Sequence, residues 1–288
     1  MTASGGGGLR AGPYTVRGLS LGGVFTSVHV PELDVLFDCG VALRTAAGVS
    51  TLCLSHAHAD HVGALNALLG IRGLQGVKAP LRVLMPAEIV DTLLAALRAM
   101  TELQRWPLDI YPVGLSPGDV VPLRGDLWVR AVKTFHPVPS LAFQVVRRVQ
   151  KLRPEHAGLP GAEIAARRRA GAGAELFDTV EHPELAYVTD TLIQAVEHAP
   201  ELLASKVLVM EATFLDGRKP IEAARAGCHV HLDEVIARAD LFAMPHLVLM
   251  HVSQLYQPAE VAPLLDARLP PELRARTQAL VPAGAWPA

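Results

Sequence analysis

The sequence predicts an α/β chain in which helices flank sheets, and three observations carry that class. Short apolar stretches of strand length recur along most of the chain. One long segment has helical rather than alternating periodicity. Six of the strands finish on, or one residue before, a group that binds metal or moves a proton.

Taken in order, the strands are Val35 to Gly40 (VLFDCG), Thr51 to His56 (TLCLSH), Leu81 to Pro86 (LRVLMP) and Val129 to His136 (VRAVKTFH). They continue with Leu141 to Val146 (LAFQVV), Leu185 to Asp190 (LAYVTD), Lys206 to Glu211 (KVLVME) and Leu247 to His251 (LVLMH). Between them, Ala87 to Leu103 places Ile89, Leu93, Leu94, Leu97 and Met100 at helical spacing, which predicts an amphipathic helix against a sheet. The six strand-end groups are Asp38, His56, His136, Asp190, Glu211 and His251. Sites assemble at the carboxyl ends of strands because side chains converge there without disturbing the core, so the six predict one shared site.

The chain has 288 residues, of which 50% are hydrophobic and 19% charged, as in a folded soluble protein. A net charge of −2 means that nucleic-acid binding would need a local basic patch. Three cysteines, Cys39, Cys53 and Cys228, are far apart and form no CxxC. They argue against a disulfide framework and for a reducing cytoplasm, with Cys39 and Cys53 as small buried hydrophobes. No signal-peptide pattern or membrane-length apolar run is present, so no membrane partner is expected. Residues 1–12, with the run TASGGGG, read as a flexible tail, and 13–288 as a single domain with a mobile, proline-rich end. Residues 147–184 break the strand pattern and are rich in Gly, Pro and Arg, which predicts a basic insertion projecting from the core.

The stretch SHAHADHVGAL carries the strongest chemical signal. His56, His58, Asp60 and His61 fall within six positions directly after an apolar run. A chance match to this pattern is expected on the order of once in a thousand chains of this size, so a merely solvated polar loop is a weak alternative. Residues two apart in extended chain point the same way, so His56 and His58 can grip one ion. The turn into the following helix directs Asp60 and His61 toward a second. His136 completes the first set, His251 the second, and Asp190 can bridge both. Imidazole and carboxylate donors without thiolate fit two Zn2+ best, with Mn2+ or Fe2+ as alternatives. Two such ions clamp the attacking and departing oxygens of a displacement and bring the pKa of a bound water to roughly 7.

From roughly Tyr14 to Tyr256 the chain resembles the metallo-β-lactamase superfamily and, within it, the ribonuclease Z family of tRNA 3′-processing endonucleases. The resemblance is to the short form and its plant-type variant. Beyond SHAHADH it rests on KTFHPVPSLAF, AGLPGAEI, AYVTDT, KVLVMEATFLDG, AGCHVHLDEV and LMHVSQLY. It implies a four-layer αββα sandwich of two mixed β-sheets with a dinuclear metal site at one edge. It implies that Asp60 is catalytic as well as a ligand, that Glu211 orients His229, and that His229 contacts the scissile phosphate or protonates the leaving 3′ oxygen. Asp38 becomes a hydrogen-bonding support for the ligands. Arg72 lies near the substrate path, and Arg167, Arg168 and Arg169 in the insertion contact the RNA backbone. Precursor tRNA is the implied substrate and a homodimer the implied assembly, one subunit's arm serving the other's site.

Several positions depart from the family pattern. Leu255 stands where the family's HFSxRY motif has arginine, Thr189 where its GDT motif has glycine, and Met210 where many members have histidine. None removes a ligand; they bear on substrate positioning. Two other readings stay open: a hydrolase of the same fold acting on a cyclic phosphodiester, lactone or thioester, and a non-catalytic metal-stabilised RNA-binding module.

Overall fold

A computed structural model describes residues 8–287. The chain builds two mixed sheets. The first takes, in spatial order, β1 (Leu9–Ala11), β2 (Tyr14–Gly22), β3 (Phe25–Val30), β4 (Val35–Phe37), β5 (Thr51–Cys53), β6 (Leu81–Pro86) and β7 (Ile110–Leu115). The second takes β8 (Val120–Arg124), β9 (Leu127–Lys133), β10 (Leu141–Leu152), β11 (Phe177–Val188), β12 (Val207–Glu211) and β13 (His246–Met250). The short β14 (Val252–Ser253) returns to pair with β2, and β15 (Thr277–Ala279) closes the second sheet beside β13. β4 to β7 run parallel, as do β11, β12, β13 and β15.

Alternation along the central strands explains the layers. Val129, Ala131, Phe143, Val145, Leu185, Tyr187, Val207 and Val209 point inward against Val28, Val30, Val35, Phe37 and Cys53 of the first sheet. Their neighbours Ala142, Ala186, Val188, Leu208 and Met210 point outward and are covered by helices. The first sheet is covered on its outer face by α2 (Leu65–Leu74), which follows the single turn α1 (Ala59–Val62), and by α3 (Val90–Gln104). Leu97 of α3 is buried while Ile89, Leu93 and Met100 pack against that cluster, as the helical spacing of 87–103 predicts. The result is the expected αββα sandwich.

The insertion at 147–184 is an arm rather than a loose excursion. β10 and β11 continue their antiparallel pairing to Leu152 opposite Phe177, well past the last pair with β9 at Arg147. α4 (Gly161–Arg169) and α5 (Gly173–Leu176) form its tip. Its base is tied by ion pairs of Arg147 with Asp126 and Glu184 and of Arg148 with Glu181, and its far end by Arg153 with Asp178. The remaining helices, α6 (Gln194–His198), α7 (Ile221–Ala226), α8 (Leu232–Ile236), α9 (Pro258–Arg268) and α10 (Pro271–Arg274), follow in order.

Both ends are more ordered than the sequence predicts. Within the tail expected at 1–12, Leu9–Ala11 form an edge strand because they find open partners at Tyr14–Val16 of β2. Residues 1–7 lie outside the described residues. The expected mobile end is anchored as well, since β15 completes the sheet and the Trp286 indole donates to the Tyr256 carbonyl at 2.9 Å.

A polar tie at Glu184 joins the two sheets. Glu184 of β11 is 2% exposed and accepts hydrogen bonds from Tyr14 of β2 (2.6 Å), Arg147 (3.0 Å) and Lys206 (2.8 Å). Burial opposes its ionisation, but Lys206, Tyr14 and Arg147 outweigh that and hold its carboxyl below the ordinary 4.5. A carboxyl depressed in the fold contributes stability above its unfolded pKa and loses it as pH falls through the folded value. Glu184→Gln is therefore expected to cost about 1–2 kcal/mol at pH 7, a modest figure because both cations reach water. In denaturant titrations of the metal-free proteins the gap from wild type should close as pH falls below the ordinary 4.5 and through the depressed folded value; a gap independent of pH would refute the ionic origin.

Candidate metal centre

Every predicted strand-end group arrives at one edge of the sandwich. Asp38 follows β4, His56 and His58 follow β5, His136 follows β9, Asp190 follows β11, Glu211 ends β12 and His251 follows β13. Four residues at this edge take left-handed backbone conformations without being glycine: Asp38 (φ 56°), Asp190 (φ 29°), Cys228 (φ 57°) and His251 (φ 58°). Each conformation costs about 1–3 kcal/mol; Asp38 and His251 adopt it at the first residue past a strand, Asp190 at the second, and Cys228 in the turn between α7 and α8. Gly40 is required nearby, because a methyl group there would lie 1.8 Å from the Asp60 carbonyl oxygen.

The ligand candidates fall into two sets that share Asp190. His56, His58, His136 and Asp190 bring donor atoms together, and so do Asp60, His61, Asp190 and His251. In the first set His56 Nε2 and His136 Nε2 lie 3.1 Å and 3.3 Å from His58 Nδ1. In the second, His61 Nε2 and His251 Nε2 each lie 3.3 Å from Asp190 Oδ1, and 3.4 Å and 3.5 Å from Asp60 Oδ2. Two donors each about 2.0–2.1 Å from a tetrahedral ion stand about 3.3–3.4 Å apart, so both sets have the spacing such an ion imposes. His61 Nε2 and His251 Nε2 are buried and have no hydrogen-bond partner, which leaves two lone pairs aimed at one point. The other oxygen of Asp190 faces His56 Nε2 at 3.7 Å, as a bridging carboxylate would.

Electrostatics point the same way. Burial opposes ionisation of Asp190 and Asp60, yet the surrounding imidazoles hold both well below the ordinary carboxylate range. Burial, reinforced by His61, pushes His56 down to about 2 and keeps it a neutral donor. His61 rises well above 6.5 against its burial because Asp38 and Asp190 face it. The cluster thus sets buried carboxylates among imidazole nitrogens, a donor set suited to hard or borderline divalent cations.

Asp38 holds the ligands rather than joining them. It is fully buried and accepts from Ser55 N (2.7 Å), Ser55 Oγ (2.8 Å), His61 Nδ1 (2.8 Å) and Tyr187 OH (2.7 Å). Glu211 is likewise buried, accepting from Thr191 N (2.7 Å), Thr213 Oγ1 (2.6 Å) and His229 Nδ1 (3.2 Å). Burial works against a charged His229, but Glu211 dominates and lifts its pKa to about 9. The His229 ring lies 5.3 Å from that of His251 and 6.4 Å from that of His136, so it borders both sets. Tyr187, Thr191, Ser55 and Thr213 were invisible as site residues in the sequence; the only signal was their adjacency to ligands or to Glu211.

Two expectations change. Arg72 does not line a substrate path: it is 4% exposed, and its guanidinium donates to the carbonyls of Ala47 (2.6 Å), Val49 (2.6 Å) and Ala79 (3.1 Å). It ties loops around α2 together, a task for a planar five-donor group. Among the arm arginines, Arg167 pairs with Glu163 at 2.5 Å, whereas Arg168 stacks over Phe177 and, like Arg169, has no acidic partner among the described residues. The departures from the family motifs are also explained locally. Thr189 donates to Asp190 Oδ1 at 2.8 Å, Met210 is buried in the helix-covered core, and Leu255 is half exposed. Arg218, stacked on Tyr256, donates to the Leu255 carbonyl at 3.1 Å.

No protein-family model matches the chain. Among curated proteins, tRNase Z TRZ1 of Arabidopsis thaliana is 36% identical over 269 residues, covering 93% of this chain and 95% of the relative. Among solved structures, the metallo-β-lactamase fold protein YhfI of Bacillus subtilis superposes with a TM-score of 0.60 at 15% identity, covering 93% of this chain and 96% of that one. Human tRNase Z, short form, superposes with a TM-score of 0.54 at 20% identity over 86% of this chain and 91% of that one. At those identities the superpositions bear on the fold alone, and they match the two-sheet sandwich. Identity to TRZ1 over nearly the full length of both chains bears on family: the chain belongs to the tRNase Z, or ribonuclease Z, family.

Proposed function

We propose that this protein is a zinc-dependent endoribonuclease that removes the 3′ trailer of precursor tRNA. The observation that carries the reading is the pair of donor sets sharing Asp190, bordered by a carboxylate-backed imidazole. His56, His58 and His136 would hold one ion, Asp60, His61 and His251 the other, with Asp190 between them. Zn2+ suits nitrogen and carboxylate donors without thiolate, and Mn2+ or Fe2+ are the competing occupants. When bound, the ions supply Lewis acidity for hydrolysis of a phosphodiester.

The chain's own residues handle the rest. Glu211 accepts the Nδ1–H of His229, which fixes the ring and keeps its Nε2–H for the substrate. Water adds to phosphorus and loses a proton to solvent, the P–O3′ bond breaks, and His229 delivers its own proton to the departing 3′ oxygen. The tRNA leaves with a 3′ hydroxyl and the trailer with a 5′ phosphate. Gly23 N–H, bonded to Asp60 Oδ2 at 3.1 Å, steadies that carboxylate at the open rim of the second set.

Strand direction bears on how RNA is gripped. β11 runs from Phe177 on the arm to Val188 beside Asp190, twelve residues in all, so the arm leaves the end of the sandwich opposite to the metal centre. At about 3.3 Å per residue the two are separated by about 35 Å. An arm that far from its own centre is suited to serve the centre of a second copy, and a homodimer in the cytoplasm is the assembly we infer. Lys151, Arg168 and Arg169 are the arm cations without an acidic partner within salt-bridge distance among the described residues.

Incubation of zinc-loaded protein with labelled precursor tRNA should give one cut near the 3′ end with a 3′ hydroxyl. Chelator should abolish it and Zn2+ restore it. Intact precursor alongside hydrolysis of a lactone, thioester or cyclic phosphodiester would favour the small-substrate reading instead; zinc-dependent RNA retention without any cleavage would favour the binding module.

His229→Ala should slow cleavage by about 10²–10⁴-fold while leaving RNA affinity within a few-fold of wild type. The loss should shrink on a phosphodiester with a nitrophenol leaving group, which needs no proton; an equal loss on both substrates would remove the acid role.

Arg168→Ala with Arg169→Ala should weaken precursor binding and lower the slope of log K against log salt by about 1.5. Arg167→Ala alone should do little, because Glu163 already neutralises it. If the arm acts in trans, mixing the double variant with His58→Ala should recover part of the cleavage that neither has alone.

A further inference from the structure

The two donor sets are held in the same way, and by groups outside the ligand list. Each contains one imidazole whose far nitrogen contacts a hydroxyl, and each hydroxyl is anchored on a buried carboxylate. In the first set Ser55 Oγ donates to Asp38 Oδ2 (2.8 Å) and lies 2.9 Å from His56 Nδ1. In the second set Thr213 Oγ1 donates to Glu211 Oε2 (2.6 Å) and lies 3.1 Å from His251 Nδ1. A hydroxyl has one hydrogen. Since each gives that hydrogen to its carboxylate, it can only accept from the imidazole, so Nδ1 of His56 and of His251 must carry the proton. Nε2 of each ring is then left with its lone pair turned toward the shared Asp190.

The geometry points to Ser55 and Thr213 as paired positioning residues that fix the tautomer and aim of one histidine in each set, Thr213 doing so while also locking the carboxylate that holds His229. The second chain therefore joins the proton donor to a ligand: His229, Glu211, Thr213 and His251 lie on one unbroken run of hydrogen bonds. Every member is buried except His229, whose side chain is 21% exposed. A cation drawing electron density from His251 Nε2 would sharpen its Nδ1–H as a donor, and each bond in such a run polarises the next. Filling the second set and fixing His229 become linked events. The two chains are not equivalent in this respect, because the Asp38 chain ends on Tyr187 and His61, inside the fold, and touches no proton donor.

A merely space-filling threonine would tolerate valine, which matches its shape and lacks the hydroxyl; a relay would tolerate serine and not valine. The inference rests on the two-ion reading of the site but not on the identity of the substrate. Its test is metal titration of the apoprotein with Zn2+ against a chromophoric chelator, with no RNA present. Wild type should take up two ions. Thr213→Val should keep one near wild-type affinity and bind the other about 10–100-fold more weakly, the range typical of lost support to a ligating histidine. Thr213→Ser should return both to within about 3-fold, and Ser55→Ala should weaken one ion while leaving Thr213 in place. Thr213→Ala is run in parallel and judged by the same criterion, in case the β-branched variant melts early. Wild-type affinity for both ions in folded Thr213→Val or Thr213→Ala, or failure of folded Thr213→Ser to restore binding, overturns the assignment. Fewer than two ions in wild type would instead overturn the two-ion reading beneath it.

Discussion

The metal centre depends on the hydrogen bonds converging on one buried carboxylate, that of Asp38. It takes four donors from three places: the Ser55 amide and hydroxyl after β5, His61 in α1 and Tyr187 in the opposite sheet. Tyr187 also stacks on Phe37, the last residue of β4, with ring centroids 4.7 Å apart. The same carboxylate therefore joins the two sheets and sets the angle at which the ligand loop leaves the first. Removing it would strand four buried donors, each at about 1–3 kcal/mol. What the interior needs for polar satisfaction and what the centre needs for geometry are a single requirement here, and neither can drift without the other.

Backbone strain is concentrated where that requirement is sharpest. Of six described non-glycine residues with positive φ, Asp38, Asp190 and His251 are site groups and Cys228 precedes His229. In a strand that continued regularly, successive side chains would alternate between the inter-sheet core and the helix-covered face. A left-handed turn at the first residue past the strand breaks that alternation and swings the side chain along the sheet's edge. Neighbours that sit regularly in the strands hold the turns in place: Val188, Met210 and Met250 are fully buried. The strain is tolerated because the core is over-determined, and the result is a set of donors that does not need to reorganise.

The reach of sequence reasoning follows from these facts. His56, His58, Asp60, His61, His136, Asp190 and His251 were legible because their residue types are rare in this arrangement and recur at strand ends. The covering helix at 87–103 was legible from its period. β2 was not, because Tyr14–Gly22 mixes two glycines, an arginine and polar residues and buries them unevenly. β8 and β15 are short edge strands whose identity comes from the partner beside them. Arg72 was misread as a substrate contact since its three carbonyl partners lie 7 to 25 residues away, and nothing local reveals that they meet. Ser55 and Thr213 escaped notice for the complementary reason: a hydroxyl has no distinctive pattern, and its role exists only once a carboxylate and an imidazole stand on either side of it.

The separation between grip and chemistry also bears on what the substrate can be. A near-neutral chain attracts a polyanion only through local charge, and the arm cations without an acidic partner among the described residues lie about 35 Å along β11 from the centre. A lactone or cyclic phosphodiester held at the metal edge could gain nothing from them, whereas a folded RNA tens of ångströms long could touch an arm and a centre together. In the homodimer proposed above, each arm would serve the other copy's edge. At the arm's base, Arg147 and Arg148 are already engaged by Asp126 and Glu181. On the reading proposed here, charge carried at the end of an arm would serve a large substrate and give a small one no advantage, so the arm, more than the metal ligands, is what separates the RNA reading from its rivals.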